Sequence, residues 1–403
     1  MRAMLELEDA RARILAALLP LPVESVSIAS AAGRFTAGAM VAPLDLPAFD
    51  NSAMDGYAVR AADVTAACAG KPSSLREAGR AAAGEVFQGA LESGACVRVF
   101  TGSPLPAGAD AVVMQEDTRI EEPGRIEVLD AVKPWENVRF RGEDVKQGVE
   151  LIGAGQRLNA SRLGLLAAVG MASVPVRRQP VVGVLATGNE LVEAGQPLSP
   201  GKIYESNRVM LRPLLAQAGA VTRVFPLVPD TLEATHAALE RAFADCDAVV
   251  TSGGVSVGEL DFVKAAFEKL GGTQEFWKVS IRPGKPFVFG RLGEKFLFGL
   301  PGNPVSALVT FLMLVRPALL HWQGAVDIQL PAQACTLGEA LVNRGDRRHF
   351  MRVKVDAEGI ARPAGAQSSH RLGSLAAANG LVDVPPGVTL EAGVLARVWR
   401  LED

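Results

Sequence analysis

Carboxylates and small polar residues gather in this chain where apolar runs break. Val181–Ala186 ends at Thr187-Gly188-Asn189-Glu190, Asp247–Val250 at Thr251-Ser252-Gly253-Gly254, and Phe296–Leu300 at Pro301-Gly302-Asn303-Pro304. Glu190, Asp230, Glu259 and Asp261 stand at or near such breaks, with Asp55 and Asp144 further upstream. A hard cation such as Mg²⁺ takes one or two carboxylates plus substrate phosphates. Ser252-Gly253-Gly254 and Gly302-Asn303 can present backbone N–H groups, and a following helix N-terminus favours negative charge. Arg282 and Lys285, held between Pro283-Gly284 and Pro286, place two cations on one turn. Acidic metal ligands beside cationic anion cradles point to a phosphorylated substrate. Each piece alone reads as well as a surface turn or a solvated charge; the argument lies in their coincidence.

The elements that must carry these loops alternate. Strand Val181–Ala186, a helix over Asn207–Ala218, a strand near Val221–Leu227, helix Thr231–Ala244, strand Asp247–Val250 and helix Asp261–Leu270 predict a parallel sheet with helices on both faces. In such a sheet the loops at the carboxyl ends of the strands lie side by side, where ligands bind. Glu275–Val279 and Pro286–Gly290 read as further strands, and Val305–Leu320 as an apolar closing helix. Upstream, Leu5–Leu19 reads as an amphipathic helix with Leu7, Ala10, Ile14, Ala17 and Leu18 on one face. Short strands over Val97–Phe100, Ala111–Met114 and Arg125–Leu129 mark a small β-rich domain, and Arg162–Val169 a short helix. From Gly324 onward, short strands between Gly/Pro turns (Phe350–Val355, Leu381–Val384, Val394–Trp399) predict a compact β-barrel or sandwich.

The totals bound the class. At 403 residues the chain exceeds one ordinary core. A net charge of -3 makes no case for nucleic acid or an anionic membrane. Cys68, Cys96, Cys246 and Cys335 form no C-x-x-C pair, and the four histidines are dispersed. That leaves oxygen ligands as the only metal chemistry the pattern supports and suits a reducing compartment. The N-terminal segment is acidic where a signal peptide is basic, and no apolar run is expected to span a bilayer. A soluble, cytoplasmic protein is expected. Ser-His-Asp, G-x-x-x-x-G-K-[ST] and G-x-G-x-x-G signatures are lacking, which argues against serine hydrolase, P-loop and NAD readings.

Longer motifs carry a resemblance. PLDLPAFDNSAMDGYAV, RVFTGSPLPAGADAVVMQE, RGEDV, VLATGNEL, SNRVML, TSGGVSVGELDF, WKVSIRPGKPFVFG, LPGNPVSA and GSLAAANGLVDV occur in order from about residue 5 to 400. Together they resemble the molybdopterin molybdenumtransferase family of the bacterial MoeA type, and are similar to the E domain of gephyrin. The resemblance implies insertion of molybdate into adenylylated molybdopterin, with AMP released, molybdenum cofactor formed, and Mg²⁺ as the divalent metal. It implies an elongated homodimer of four domains: a discontinuous stalk at 1–26 and 145–178, a small β-rich domain at 27–144, a central doubly wound, mostly parallel α/β molybdopterin-binding domain at 179–325, and a C-terminal β-barrel at 326–403. The active site is then a cleft between the central domain of one subunit and the small β-domain of the other. Transient contact with other molybdenum-cofactor enzymes is implied as well.

Carried onto this sequence, the resemblance gives Asp55, Thr101 and Asp144 to the N-terminal side of the cleft. Glu190, Asp230 and Asp261 match acidic positions of the central domain, with metal or pterin handling as their role. Lys278, Arg282 and Lys285 match a basic strip, and Pro301 and Pro304 a proline loop; the ligand's phosphates are then expected at Ser252, Gly253 and Gly254. Arg282, Lys285, Pro286, Arg347 and Ser369 match positions associated with the oxyanion. Arg282 stands where some members carry Lys, and Arg347-Arg348-His349 precede Phe350 where many members have an acidic residue before the Phe, so either arginine could face the ligand. Two alternatives share the fold: the adenylyltransferase that makes the adenylylated pterin, whose fold resembles the central domain alone, and a non-catalytic scaffold that binds a partner peptide. Molybdate and tungstate are not distinguished by the sequence.

Overall fold

The computed structural model describes residues 4–255 and 262–401. Its centre is a six-stranded mixed sheet in the order Val221–Val224, Val181–Ala186, Ala248–Ser252, Lys295–Leu300, Pro286–Leu292, Thr273–Lys278. The first four strands are parallel to one another; Pro286–Leu292 runs against them, and Thr273–Lys278 pairs antiparallel with it. Alternation along each strand sends side chains to two cores. Val182, Val184, Val250 and Phe298 meet the helices Leu7–Ala17, Asn207–Gln217 and the apolar helix that begins at Pro304. Leu185, Val249 and Leu297 meet the helices Leu232–Asp245 and Phe262–Lys269 on the other face. Thr231 caps the first of these by accepting the Ala234 N–H at 3.2 Å.

Pro304–Trp322 forms one apolar helical run of 19 residues, long and apolar enough to cross a membrane. The sequence reading recognised no run of that length. Here it is packed inside the protein, among the central sheet's own residues. It widens to a π-helix over Phe311–Val315, just before Pro317, whose ring and missing N–H cannot continue an ordinary ladder.

The remaining units are all β-rich. Gly56–Val59, Ser73–Ala81, Ala95–Val99, Ala111–Met114, Thr118–Glu122 and Arg125–Val128 form a second six-stranded sheet, over Tyr57, Val59, Leu75, Val113 and Ile126. The nine-residue strand Ser73–Ala81 was not legible in the sequence, because its composition is polar and its Gly79 interrupts the alternation. Val23–Ser27 pairs antiparallel with Ser173–Arg177 across nearly 150 residues of chain. Ala31, Met40, Ile152, Leu158 and Leu166 pack there, while Leu7, Ala10 and Ile14 of the first helix lie in the central core. The C-terminal strands Arg348–Val355, Ile360–Pro363, Ala332–Leu337, Leu395–Arg400 and Gly380–Val384 close into a five-stranded ring. Ile281–Arg282, from the central unit, adds in parallel beside Arg348–His349 at the ring's edge.

Candidate active site

The three loops that end the central strands do converge. A Cα–Cβ bond built on Gly302 would come within 3.7 Å of the Gly253 Cα. The Gly253 N–H donates to Leu300 O at 3.1 Å, and the Thr187 N–H to Ser252 O at 3.2 Å. Gly253 and Gly254 both adopt the left-handed region, with φ of 87° and 67°. A Cβ on Gly254 would lie 2.6 Å from Val263 Cγ2 and 2.8 Å from Thr187 Oγ1, so glycine is demanded by space as well as by φ.

Asn207 ties these loops together, and sequence reasoning assigned it no role. Its Nδ2 donates to Ser252 Oγ at 2.6 Å and to Gly302 O at 2.7 Å. It opens the helix after Ser206 in the SNRVML motif, and an Asn at a helix start before an apolar run was the available signal. One residue on, Arg208 is buried and donates to Glu205, Glu193 and Phe225 O. That network anchors the segment that follows Glu190.

Of the carboxylates predicted for the site in the central unit, Glu190 and Asp230 are described, and they flank Asn189. Asp230 Oδ2 accepts the Asn189 N–H at 2.9 Å, and the Asp230 N–H donates to Asn189 Oδ1 at 3.1 Å. The Glu190 carboxylate folds back over Gly188, within 2.7 Å of where a Cβ would stand. Both side chains are open to solvent or nearly so. Among the described residues no cluster of three or more His, Cys, Asp or Glu side chains could enclose a metal. Two accessible carboxylates fit a hard cation that keeps waters and shares substrate phosphates, rather than a closed protein cage. Asp261 and Glu259 lie outside the described residues.

The basic side of the site is built where the central unit meets the ring. Arg282 and Lys285 are exposed, and their side chains make no hydrogen bond or ion pair with the described residues. Arg347 donates from Nη1 to Ile281 O at 2.9 Å, which sets it beside Arg282. Arg348 is occupied elsewhere: Nε donates to Asp383 Oδ2 at 3.0 Å, and the guanidinium pairs with Glu8 as well. Those two carboxylates hold its positive charge firmly. His349 is buried with neither ring nitrogen partnered among the described residues. Burial first, then the charges of Arg282, Arg352 and Arg347, depress its pKa from 6.5 to about 4. Ser369 arrives from the ring: its Oγ accepts from Asn303 Nδ2 at 3.1 Å and its carbonyl accepts the Val305 N–H at 3.1 Å. Pro301 is buried and Pro304 opens the apolar helix, so the proline loop is fixed from both ends. Pro286 begins its strand, and Lys278 Nζ lies 4.9 Å from the Trp277 ring centroid, with Lys264 Nζ at 5.1 Å from the same ring.

A separate pair lies on the small β-unit. Asp55 Oδ1 accepts both the backbone N–H and the hydroxyl of Thr101, each at 2.8 Å. The backbone donor, then the hydroxyl, then the nearby Arg98 hold this carboxyl below its ordinary range, so it is anionic at neutral pH. Asp144 is exposed in a turn whose N–H reaches Leu46 O. Among the described residues, neither side chain of the Asp55–Thr101 pair bonds to the central loops of the same chain.

Comparison with known proteins places this geometry. Three family descriptions match in sequence order: MoeA N-terminal region (domain I and II) over residues 5–170, a probable molybdopterin binding domain over 183–321, and MoeA C-terminal region (domain IV) over 334–401. A molybdopterin molybdenumtransferase from Haemophilus influenzae is 41% identical over 382 residues, 93% of either chain. The chain belongs to the molybdopterin molybdenumtransferase family. Molybdopterin molybdenumtransferase 2 of Mycobacterium tuberculosis matches the family's full span here, 38% identical over 100% of both chains. The crystal structure of a molybdopterin biosynthesis moea protein from Pyrococcus horikosii superposes with a TM-score of 0.84 at 32% identity, covering both chains completely. The first match spans the first helix and the β-rich sheet, the second most of the central sheet with its apolar helix, and the third the ring.

Proposed function

We propose that this protein inserts molybdenum into molybdopterin, taking the adenylylated pterin and molybdate as substrates and releasing AMP. The observation that carries this reading is the meeting of three things at one sheet edge. The Ser252–Gly254 loop is bound to Gly302 through Asn207, the Glu190–Asp230 carboxylates flank Asn189, and the basic residues Arg282, Lys285 and Arg347 stand where the central unit meets the ring, while Ser369 from the ring bonds Asn303. A nucleotide-bearing pterin needs the first two, and a doubly charged oxyanion needs the third. The matched regions before and after the central one speak against the adenylyltransferase, which would need only the central unit. Retention of the acidic set at Asp55, Glu190, Asp230 and Asp261 speaks against a scaffold.

In this reading the Gly254 N–H and the neighbouring helix start receive the ligand's phosphates, the Gly253 N–H being already given to Leu300 O. Glu190, Asp230 and Asp261 would hold Mg²⁺, which supplies charge neutralisation at the phosphates when bound. Arg282, Lys285 and Arg347 hold molybdate beside the dithiolene, and Ser369 orients it. Asp55, kept anionic by Thr101, faces the site from a second subunit of a homodimer and places the attacking oxygen. Positioning and fixed charge provide most of the acceleration, as in other phosphoryl chemistry. The four-domain division, with the stalk at 1–26 and 145–178, and a cytoplasmic location go with this proposal.

The test is single-turnover AMP release from adenylylated molybdopterin, with molybdate and Mg²⁺ each present or omitted. Release that needs both, with active cofactor formed, is expected. Pyrophosphate release from ATP instead would point to the adenylyltransferase, and no release under any condition to a scaffold.

A further inference from the structure

Among the described residues, three of the four exposed aromatic side chains stand on two paired segments of the small β-rich unit. They are Phe49 at 47%, Trp135 at 48% and Phe140 at 41% exposure; the fourth is Tyr204. The Trp135 and Phe140 rings meet with 5.5 Å between centroids, tilted by 54°. Between them in sequence, Val138–Arg139 pairs antiparallel with Asn51–Ser52, and Phe49 O accepts from Asn51 Nδ2 at 3.1 Å. Polar groups, not the rings, hold the segment in place. The Val112 N–H donates to Glu136 O at 3.1 Å, Asn137 Nδ2 to Val112 O at 2.9 Å, and the Ala53 N–H to Asn137 O at 2.9 Å. The Phe140 and Arg141 N–H groups donate to the Glu143 and Asp50 carboxylates at 2.8 and 2.7 Å. Val138 packs against an apolar core of this unit, and neither ring does. Trp135 moreover has a φ of 68°, in the left-handed region that glycine takes without cost and a bulky side chain does not.

An exposed indole that buries little and strains its own backbone serves no packing role within the chain, and strain of this kind gathers at ligand clamps. The pair also adjoins the Asp55–Thr101 carboxylate. Ala53, bonded to Asn137, precedes Asp55 by two residues. On its other side the Asn51–Ser52 strand meets the loop after Thr101, the Ser52 N–H donating to Ser103 O at 2.9 Å and the Gly102 N–H to Ser52 O at 2.8 Å. Open aromatic faces give a flat heterocycle a large contact at little rotamer cost. The adenylylated pterin has two such rings. We propose that Trp135 and Phe140 form a stacking platform for one ring of that substrate, carried into the shared cleft beside Asp55. This rests on the reading of the chain as inserting molybdenum in a cleft between two subunits.

The experiment follows cofactor formation by the intact protein in the wild type, Trp135→Gly and Phe140→Ala, with AMP and 6-hydroxymethylpterin as competing probes. Trp135→Gly should raise the KM for adenylylated molybdopterin about tenfold and Phe140→Ala about threefold, while the KM for molybdate stays within about twofold. Glycine suits this backbone, so the thermal midpoint of Trp135→Gly should fall by no more than about 2 °C. The inhibition constant of the probe that occupies the platform should rise in Trp135→Gly as well. A rise for AMP assigns the adenine ring, and a rise for 6-hydroxymethylpterin assigns the pterin. A wild type that forms no cofactor overturns the underlying reading, and the proposal with it. An active wild type whose pterin KM, or whose two inhibition constants, are unchanged in Trp135→Gly overturns the proposal alone. So does a fall in that variant's dimer mass by light scattering, which would make the rings a subunit contact. If Trp135→Gly does not fold, Phe140→Ala decides, and an unchanged pterin KM there overturns the platform.

Discussion

Two side chains have chemical states that their neighbours set. Asp55 is held anionic by the Thr101 backbone N–H and hydroxyl. Thr101→Val keeps the first donor and removes the second. The Asp55 titration, followed by its carboxyl carbon resonance, should move to higher pH, and an unmoved midpoint would show that the hydroxyl has no part in it. His349 behaves oppositely to a paired histidine. It titrates near 6.5 in the unfolded chain but only at about 4 in the folded one, because burial and the surrounding Arg282, Arg352 and Arg347 disfavour a second charge. Between those values the unfolded chain binds the extra proton. Stability is therefore complete above pH 6.5 and falls as the pH drops towards 4, by a limit on the order of 3 kcal/mol. Denaturant titrations at pH 7 and pH 4.5 should show a smaller difference for His349→Gln than for the wild type.

At the scale of elements, the site is a property of strand ends. The strands Val181–Ala186, Ala248–Ser252 and Lys295–Leu300 are buried on both sides, so their polar termini can only project beyond the sheet edge, and parallel order brings these termini to one side. The glycines there have no substitute. Gly254→Ala places a methyl against Val263 and Thr187 and also requires a left-handed φ, so it should cost at least about 2 kcal/mol and abolish phosphate binding. In the β-rich unit, a Cβ on Gly56 would lie 1.9 Å from Val113 O. Gly56→Ala should therefore force apart the strands Gly56–Val59 and Ala111–Met114 and displace the adjoining Asp55. Thermal unfolding of the two variants checks both statements, and wild-type midpoints would refute the close packing.

At the scale of the molecule, the proposed cleft needs two chains. A test uses two variants that are each inactive, Asp55→Ala and Asp230→Ala. If the site is shared between subunits, a mixed dimer carries one site with both changes and one with neither. Co-expression should then restore about a quarter of wild-type activity, since half the dimers are mixed and half their sites intact. A site contained within one chain would restore none.

The sequence by itself determined the central alternation, the three loops and the ordered motifs, because buried strands and helices impose periods that survive in the residue order. It also singled out Arg282 and Lys285 by type, while Ser369 came only through the family resemblance. It could not show the polar strand Ser73–Ala81, whose pairing rather than composition makes it a strand, nor that the 19-residue apolar run at Pro304–Trp322 would be swallowed by the core. It left Arg347 and Arg348 equivalent. The fold separates them, since Glu8 and Asp383 come from elements 340 and 35 residues away to take up Arg348. Asn207 as the tie between two loops and the left-handed Trp135 against Phe140 were likewise decided only by tertiary structure. Which partner a polar side chain meets depends on long-range packing, and that information is not written locally in the chain.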